Sequence, residues 1–488
     1  MRSAVRIAIA AASLLALAIP LAALAASRGG GAETAHAAAP SFTRDVAPVI
    51  ADKCAGCHQT GGIAPFPLET ARQISANASL IGAAVQARVM PPWPPGARSP
   101  AYVGQDERIL STPERVAILA WAKAGGKVDG PARRPRPPKP VELSDGESLL
   151  DLRMPTAYRP SAPKGVTDDY RCFLLDPKQA DDTAVTSARI DPGQPKVVHH
   201  VILFRIEQAQ IAEGKRLDAA TAGPGWSCFG GTGLPAGGSA AAAQDALDDA
   251  NWVAAWAPGW GGDRLPNGTG VPLPAGSQIV MQVHYNLLNG RAPDRSRALL
   301  TVAPASAELE PVQTMLLPGP VELACVKGEA GRLCSRTEAL FELSRKYGVT
   351  SALVPAFLLY LCRGSAASPR PSAVSTCDRR ITSPTTIHRV VGHMHLLGAS
   401  IKLELNPGAS RARVLLDIPR WDFHWQNAYT LAQPVRAEPG DVVRVTCRHE
   451  THKRMQGGNG IPKTPRYVLW GEGTTDEMCL GILQVTRG

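Results

Sequence analysis

Apolar positions follow three different spacings along the chain, and each spacing predicts a different kind of element. Residues 7–26 are continuously apolar behind Arg2 and Arg6, and they close on Ala23-Leu24-Ala25. That charge, length and small-residue site predict a secretory signal peptide over 1–25. The run is also near the length of a bilayer span, but Pro20 and the Ala-Leu-Ala site favour cleavage over retention as an anchor. The Ala/Gly-rich residues 26–40 predict a flexible lead. Over 41–53, Phe42, Val46, Val49 and Ile50 recur on one helical face. Ser111-Thr112-Pro113-Glu114 reads as a capping box with an early proline, opening a helix that Gly125-Gly126 would stop. A small all-α domain is therefore expected over 41–128. Residues 129–144, with the Pro/Arg-rich stretch 131–140 at their centre, read as an extended linker.

From 141 onward the apolar stretches shorten to strand length, separated by Pro, Gly and Asp turns. Residues 197–205, 278–285, 411–418 and 442–447 are examples. This texture predicts antiparallel β-sandwiches. One segment, 337–361, reads instead as helix with a break near Val354-Pro355. The length of 488 residues accommodates about three domains, so two sandwiches fit behind the helical block. The fold class expected is multidomain: a small all-α domain followed by two all-β sandwich domains.

Composition narrows the functional classes. With 46 glycines, 43 prolines and 5% aromatics, turns and short strands are favoured over long helical bundles. The net charge of +10 is spread thinly, with no long Lys/Arg block outside the linker, so nucleic acid is not an expected partner. No later segment stays apolar for about 18 residues, which predicts no stable membrane span after signal cleavage. Export to the periplasm or beyond would place the ten cysteines in an oxidising compartment.

Two of those cysteines carry the first chemical signal. Cys54-Ala55-Gly56-Cys57-His58 is the C-x-x-C-H pattern of covalent haem c attachment. Two thiols at the end of a helix add to the haem vinyl groups, and the adjacent imidazole of His58 becomes an axial ligand of the iron. Beyond the signal, this block holds one methionine, Met90, in Val89-Met90-Pro91-Pro92-Trp93. Met90 is the expected second axial ligand, and Met/His ligation raises the haem potential toward electron transfer. The block resembles the small class I cytochromes c fused to periplasmic enzymes, and 41–128 is expected to be a cytochrome c domain holding one haem c.

The second signal is a set of histidines on predicted strands. His199 and His200 open one, His284 lies in Met281-Gln282-Val283-His284-Tyr285-Asn286, and His393-Met394-His395 lies in another. Side chains alternate across a strand, so His393 and His395 share a face and could clasp one metal. His199 and His200 would face opposite sides of a regular strand. Sharing a metal would need a strand end, a bulge or different ring nitrogens. Imidazoles suit Zn, Cu, Fe or Ni, and a thioether partner would favour copper.

The order HH, QVHYN, HMH and, finally, Gly471-Glu472-Gly473-Thr474-Thr475-Asp476-Glu477-Met478-Cys479 resembles the copper type II, ascorbate-dependent monooxygenases. That family includes the peptidylglycine alpha-hydroxylating and dopamine beta-monooxygenases. The resemblance implies two jelly-roll sandwiches, here over 145–315 and 316–488, with a cysteine-containing insertion at 322–385. It implies two copper ions: an electron-transfer copper on His199, His200 and His284, and a catalytic copper on His393, His395 and Met478. The implied reaction hydroxylates a substrate C–H bond with O2, one copper acting at the reaction and the other supplying the second electron. Ascorbate or a redox protein would be the external electron donor, and the fused haem is expected to deliver or relay the electrons.

Departures from the family pattern bear on the substrate. The peptide-amidating branch carries an arginine where this chain has Val391, and an asparagine and a tyrosine where it has Leu480 and Ile482. The polar grip on a peptide carboxylate is missing, which points to a more apolar small molecule. His388, His424, His449 and His452 read as surface, packing or supporting groups. The alternative function is a non-catalytic periplasmic electron carrier or copper-binding protein built from the same parts.

The remaining eight cysteines form an even set. The resemblance implies a Cys447–Cys479 disulfide beside Met478. Cys172 with Cys228 is expected in the first sandwich, and Cys325, Cys334, Cys362 and Cys377 are expected to pair among themselves in one of three ways.

Overall fold

The computed structural model describes residues 40–60, 64–134, 141–162, 166–235, 245–258, 262–456, 461 and 463–488. The expected signal peptide, nearly all of the flexible lead, and the middle of the linker lie outside the described residues. Among the described residues no helix is long and apolar enough to cross a membrane.

The first block is helical. A π-turn, Phe42–Val46, is capped by Ser41 and leads into the helix Ala47–Lys53, which ends at Cys54. Capping boxes at Thr70/Gln73 and Ser111/Glu114 open the helices Ala71–Ala76 and Thr112–Lys123 by satisfying their free N–H groups. Gly125 and Gly126, both at positive φ, end the latter helix. Phe42, Ile50, Ile74, Ile81, Ile118 and Trp121 share a core separate from those of the sheets.

Two sandwiches follow, and they share a sheet. A nine-stranded sheet runs Ser148–Arg153, Arg297–Pro304, Thr183–Asp191, Thr269–Leu273, Glu310–Pro318, Cys479–Arg487, Thr385–Met394 and Ala428–Ala437, with Asp263–Arg264 paired at its side. Its halves meet where Glu310 and Pro311 pair parallel to Thr269 and Gly270. The first half packs on a five-stranded sheet that contains Asp168–Leu175, Gln278–Asn286 and Val198–Ile206. The second half packs on the four strands Val374–Arg380, Val442–His449, Gly398–Leu405 and Arg413–Ile418. The boundary expected at 315 falls inside the strand Glu310–Pro318, whose pairing with both halves makes it the seam.

Residue period explains the central strand Gln278–Asn286. Ile279, Met281, Val283 and Tyr285 enter the first sandwich core. Val280 faces the other way, into a smaller cluster with Cys172, Phe204, Trp226 and Cys228, so His284 projects from the face opposite the main core.

The segment 322–385 carries the helices Arg336–Tyr347 and Val349–Leu361. The break expected at Val354-Pro355 lies instead at Gly348, whose φ of 91° and ψ of 164° strain any side chain. Pro355 sits inside the second helix. Four disulfides join Cys172–Cys228, Cys325–Cys334, Cys362–Cys377 and Cys447–Cys479, and Cys54 and Cys57 take part in none. Such a set belongs to an oxidising compartment.

Residues 93–103 leave the helical block and join the second sandwich. Tyr102 belongs to that sandwich's core and its hydroxyl donates to the Leu415 carbonyl at 2.8 Å. Trp93 and Tyr102 lie 5.6 and 5.1 Å from the Tyr429 ring, and Arg98 pairs with Asp417 at 2.9 Å. The second sandwich, and not the helical core, buries Tyr102 and packs against Trp93.

Candidate functional site

Three histidines meet at one end of the five-stranded sheet. His200 pairs with His284 across adjacent strands, and Tyr170 pairs with His284 on its other side. The register shifts between Val198 and His200, and this irregularity turns His199 to the same side as its neighbour. One ligand atom from each of His199, His200 and His284 lies within 4.8 Å of the others. Among the described residues this is the one group of three or more His, Cys, Asp or Glu side chains so gathered.

The hydrogen bonding leaves one kind of nitrogen unused. His284 donates from Nε2 to Asp168 Oδ1 at 2.8 Å, which fixes its tautomer, and Tyr170 stacks on its ring at 4.1 Å. The Nδ1 atoms of His199, His200 and His284 are all buried without a hydrogen-bond partner. Orphaned buried nitrogens are costly unless something coordinates them, so this triad fits a metal ion. Burial, aided by the neighbouring imidazoles, holds the His199 and His200 pKa values far below the ordinary range, so their lone pairs are free at neutral pH. For Asp168, burial acts to raise the pKa, but bonds from His284, Thr474 and Thr167 overcome it and hold the carboxyl at about 2.

The second pair sits on the shared sheet. His393 and His395 share a face with ring centroids 5.1 Å apart, while Met394 turns into the core. His393 Nδ1 donates to Gln426 Oε1 at 2.5 Å, and His395 Nδ1 donates to the Asp476 carbonyl at 3.3 Å. Both rings therefore keep Nε2 for a ligand role. Burial lowers both pKa values, that of His393 to about 3. Met394 lies opposite Cys479 in the ladder, and the buried Met478 just before it belongs to the core of the second sandwich at this end of the strand pair. Two imidazoles and a thioether form a donor set suited to copper.

Two further features support this pair. Glu477, fully buried, accepts backbone N–H bonds from His395 at 3.1 Å, Leu397 at 2.6 Å and Met478 at 3.0 Å. His449 Nε2 lies 3.6 Å from the same carboxylate, so this histidine is a buried supporting group. The loop 421–427 supplies the rest. Trp421 donates to the His395 carbonyl at 3.1 Å, and Phe423 stacks on His199 at 4.6 Å and meets the His395 ring edge-on at 6.0 Å. A single phenyl ring thus touches both histidine groups.

The helical block carries a cleft lined by Cys54, Cys57, His58, Met90 and, from the second sandwich, Trp425. His58 Nδ1 donates to the Phe66 carbonyl at 3.0 Å, leaving Nε2 free. Burial pushes the Cys54 thiol up to about 12 and the Cys57 thiol above its usual value. Two cysteines outside the disulfides, a fixed imidazole and a thioether around one largely apolar cleft are compatible with a covalently bound haem.

Sequence reasoning singled out the ligand candidates and missed Asp168, Glu477, Phe423, Trp425 and Gln426. A signal for two of these existed: Phe423 and Trp425, with Trp421, crowd five residues of a chain that is 5% aromatic.

Residues 372–484 match the family model described as copper type II ascorbate-dependent monooxygenase, C-terminal domain. With the β-rich fold and the histidine cluster, the match supports that family and a copper-dependent oxidoreductase. The family implies O2, a substrate and an ascorbate-type electron donor. The matched span includes His393, His395 and Met478, and neither the three-histidine group nor the cysteine pair of the helical block. No curated protein matches the chain. Among solved structures it is similar to an allantoicase, at 9% identity and a TM-score of 0.15, over 62% of this chain and 86% of that one. It is also similar to a Paenibacillus xanthan lyase, at 10% identity and a TM-score of 0.16, over 74% of this chain and 28% of that one. A third likeness is to the infectious bursal disease virus VP2 subviral particle, at 9% identity and a TM-score of 0.15, over 72% of this chain and 75% of that one. None of these scores indicates a shared fold.

Proposed function

We propose that this chain is an exported copper-dependent monooxygenase that hydroxylates a C–H bond of a small organic substrate with O2. Its electrons would be supplied or relayed by a haem c in the helical block. The observation that carries this reading is the meeting of the two histidine groups at Phe423, with Met478 next in sequence to the end of the strand that pairs with that of His393.

His199, His200 and His284 would hold one copper through Nδ1, and His393, His395 and Met478 the other through Nε2 and sulfur. Cys54, Cys57, His58 and Met90 would hold the haem. Copper so bound supplies one-electron steps and O2 activation, and the thioether favours Cu(I). The chain's own part is positioning. Asp168 sets the tautomer of His284, Gln426 that of His393, and Glu477 ties the backbone of His395 to that of Met478. Val391 pairs with Ile482 and His393 with Leu480, so these three apolar side chains share a sheet face with His393. They offer a substrate apolar contact and no partner for a carboxylate, which favours an apolar molecule over a peptide terminus.

The test is a metal and haem inventory of the purified, copper-loaded chain. Two coppers and one covalent haem per chain are expected. Zinc alone, or haem without copper, would contradict the reading.

A further inference from the structure

The helical block could deliver electrons to either histidine group, and the structure distinguishes them. The cleft that would hold the haem is lined in part by Trp425, which belongs to the second sandwich. The next residue, Gln426, accepts from His393 Nδ1 at 2.5 Å and donates from Nε2 to the Phe423 carbonyl at 2.9 Å. One peptide bond and one hydrogen bond therefore connect the cleft wall to His393. On the far side, Asn427 accepts from Arg108 of the helical block at 3.0 Å, clamping the loop where Trp425 enters. No residue of the His199, His200 and His284 group, nor of its strands, lines that cleft among the described residues.

We infer that Trp425 and Gln426 form the electron entry route, and that electrons reach the His393–His395–Met478 site first. This inference rests on the proposed haem and copper contents. Through these two residues one electron passes from ferrous haem, oxidised to ferric, to Cu(II), reduced to Cu(I), and no proton moves. An external one-electron donor of the ascorbate or redox-protein class restores the ferrous haem. His199, stacked on Phe423 at 4.6 Å, lies beyond the second site, one ring from His395, so the first group is filled across Phe423. The order is the reverse of one in which the three-histidine copper is the point of entry. It also gives a use to the aromatic crowding of the loop, since the indole and the phenyl ring stand at its two junctions.

The experiment uses the full chain carrying haem and copper, oxidised and anaerobic. It is mixed rapidly with less than one equivalent of dithionite-generated methyl viologen radical. Haem reoxidation is read from its visible absorption band, and copper reduction from the loss of the Cu(II) paramagnetic signal. Wild type should reoxidise its haem as Cu(II) disappears. Trp425→Leu should slow this about tenfold or more, an increase of about 1.4 kcal/mol in the effective barrier. Its haem spectrum and copper content should be unchanged, and Trp425→Phe should restore most of the rate. His284→Ala, which removes a ligand of the first group, should keep the fast phase, and His393→Ala should lose it. A Trp425→Leu protein that keeps both metals and reoxidises at the wild-type rate would overturn the route alone. So would loss of the fast phase in His284→Ala. Wild-type haem that never reoxidises with copper bound would overturn the haem supply itself, and the route with it.

Discussion

Replacing Glu477 with glutamine changes one atom of a buried carboxylate that organises the second histidine pair. The carboxylate is fully buried and receives N–H groups from His395, Leu397 and Met478 at 3.1, 2.6 and 3.0 Å. Burial acts to raise its pKa, but His449, His395 and the backbone bond outweigh it, so the group is ionised at neutral pH. In Glu477→Gln one oxygen becomes an NH2 that must face a donor. If it replaces Oε1, the Leu397 bond is lost; if Oε2, those of His395 and Met478 are lost. Hydrogen bonds to charged groups contribute roughly 1.5–3 kcal/mol each, so the expected loss of stability is about 2–4 kcal/mol. That is a large part of a typical domain's total of about 5–15 kcal/mol. Supports of metal ligands typically change affinity about 10–100-fold, and that loss should fall on the second copper alone. Thermal unfolding reads the first quantity, and competition with a Cu(I) chelator reads the second. A Glu477→Gln protein with unchanged unfolding temperature and two coppers held as tightly as in wild type would refute the reasoning.

Three further predictions follow from the same geometry. Asp168→Asn should weaken copper at His199, His200 and His284 by about 10–100-fold and spare the other site, because His284 Nε2 then donates to a neutral amide oxygen in place of a carboxylate; site-resolved titration checks this. Removing the Cys447–Cys479 disulfide, whose cysteines are 32 residues apart, should cost about 3–4 kcal/mol in a denaturant titration and release Met478 from its place. Phe423→Ala takes a buried ring from between the histidine groups and should lower stability by about 3–5 kcal/mol, read as a fall in unfolding temperature.

The parts of this molecule that were legible in the sequence are those written in local pattern. The helix faces at Phe42 and Val46 and the caps at Ser111 and Glu114 depend on neighbours a few residues away, and so do the alternating strands. The ligand candidates were legible because histidine and methionine in a fixed order resemble a family whose chemistry is known. The break in the helical segment was misplaced because proline is a strong local signal, whereas Gly348 marks itself only by a backbone conformation. What could not be read depends on distant pairing. The nine-stranded sheet is joined at two residue pairs, Glu310 with Thr269 and Pro311 with Gly270, which no strand pattern announces. Asp168 reaches His284 across 116 residues and Thr474 across 306, and neither separation leaves a trace in composition. Trp425 lies more than 300 residues from Cys54, yet both line the same cleft.

The most direct test of the central claim is oxygen incorporation. The haem- and copper-loaded chain is reduced, then supplied with isotopically labelled O2 and a panel of apolar small molecules. One labelled oxygen atom should appear in an alcohol product, with one molecule of O2 consumed per product, and His393→Ala should abolish both. A reduced, fully loaded chain that consumes no O2 with any member of the panel, or whose product oxygen comes from water, would contradict the account.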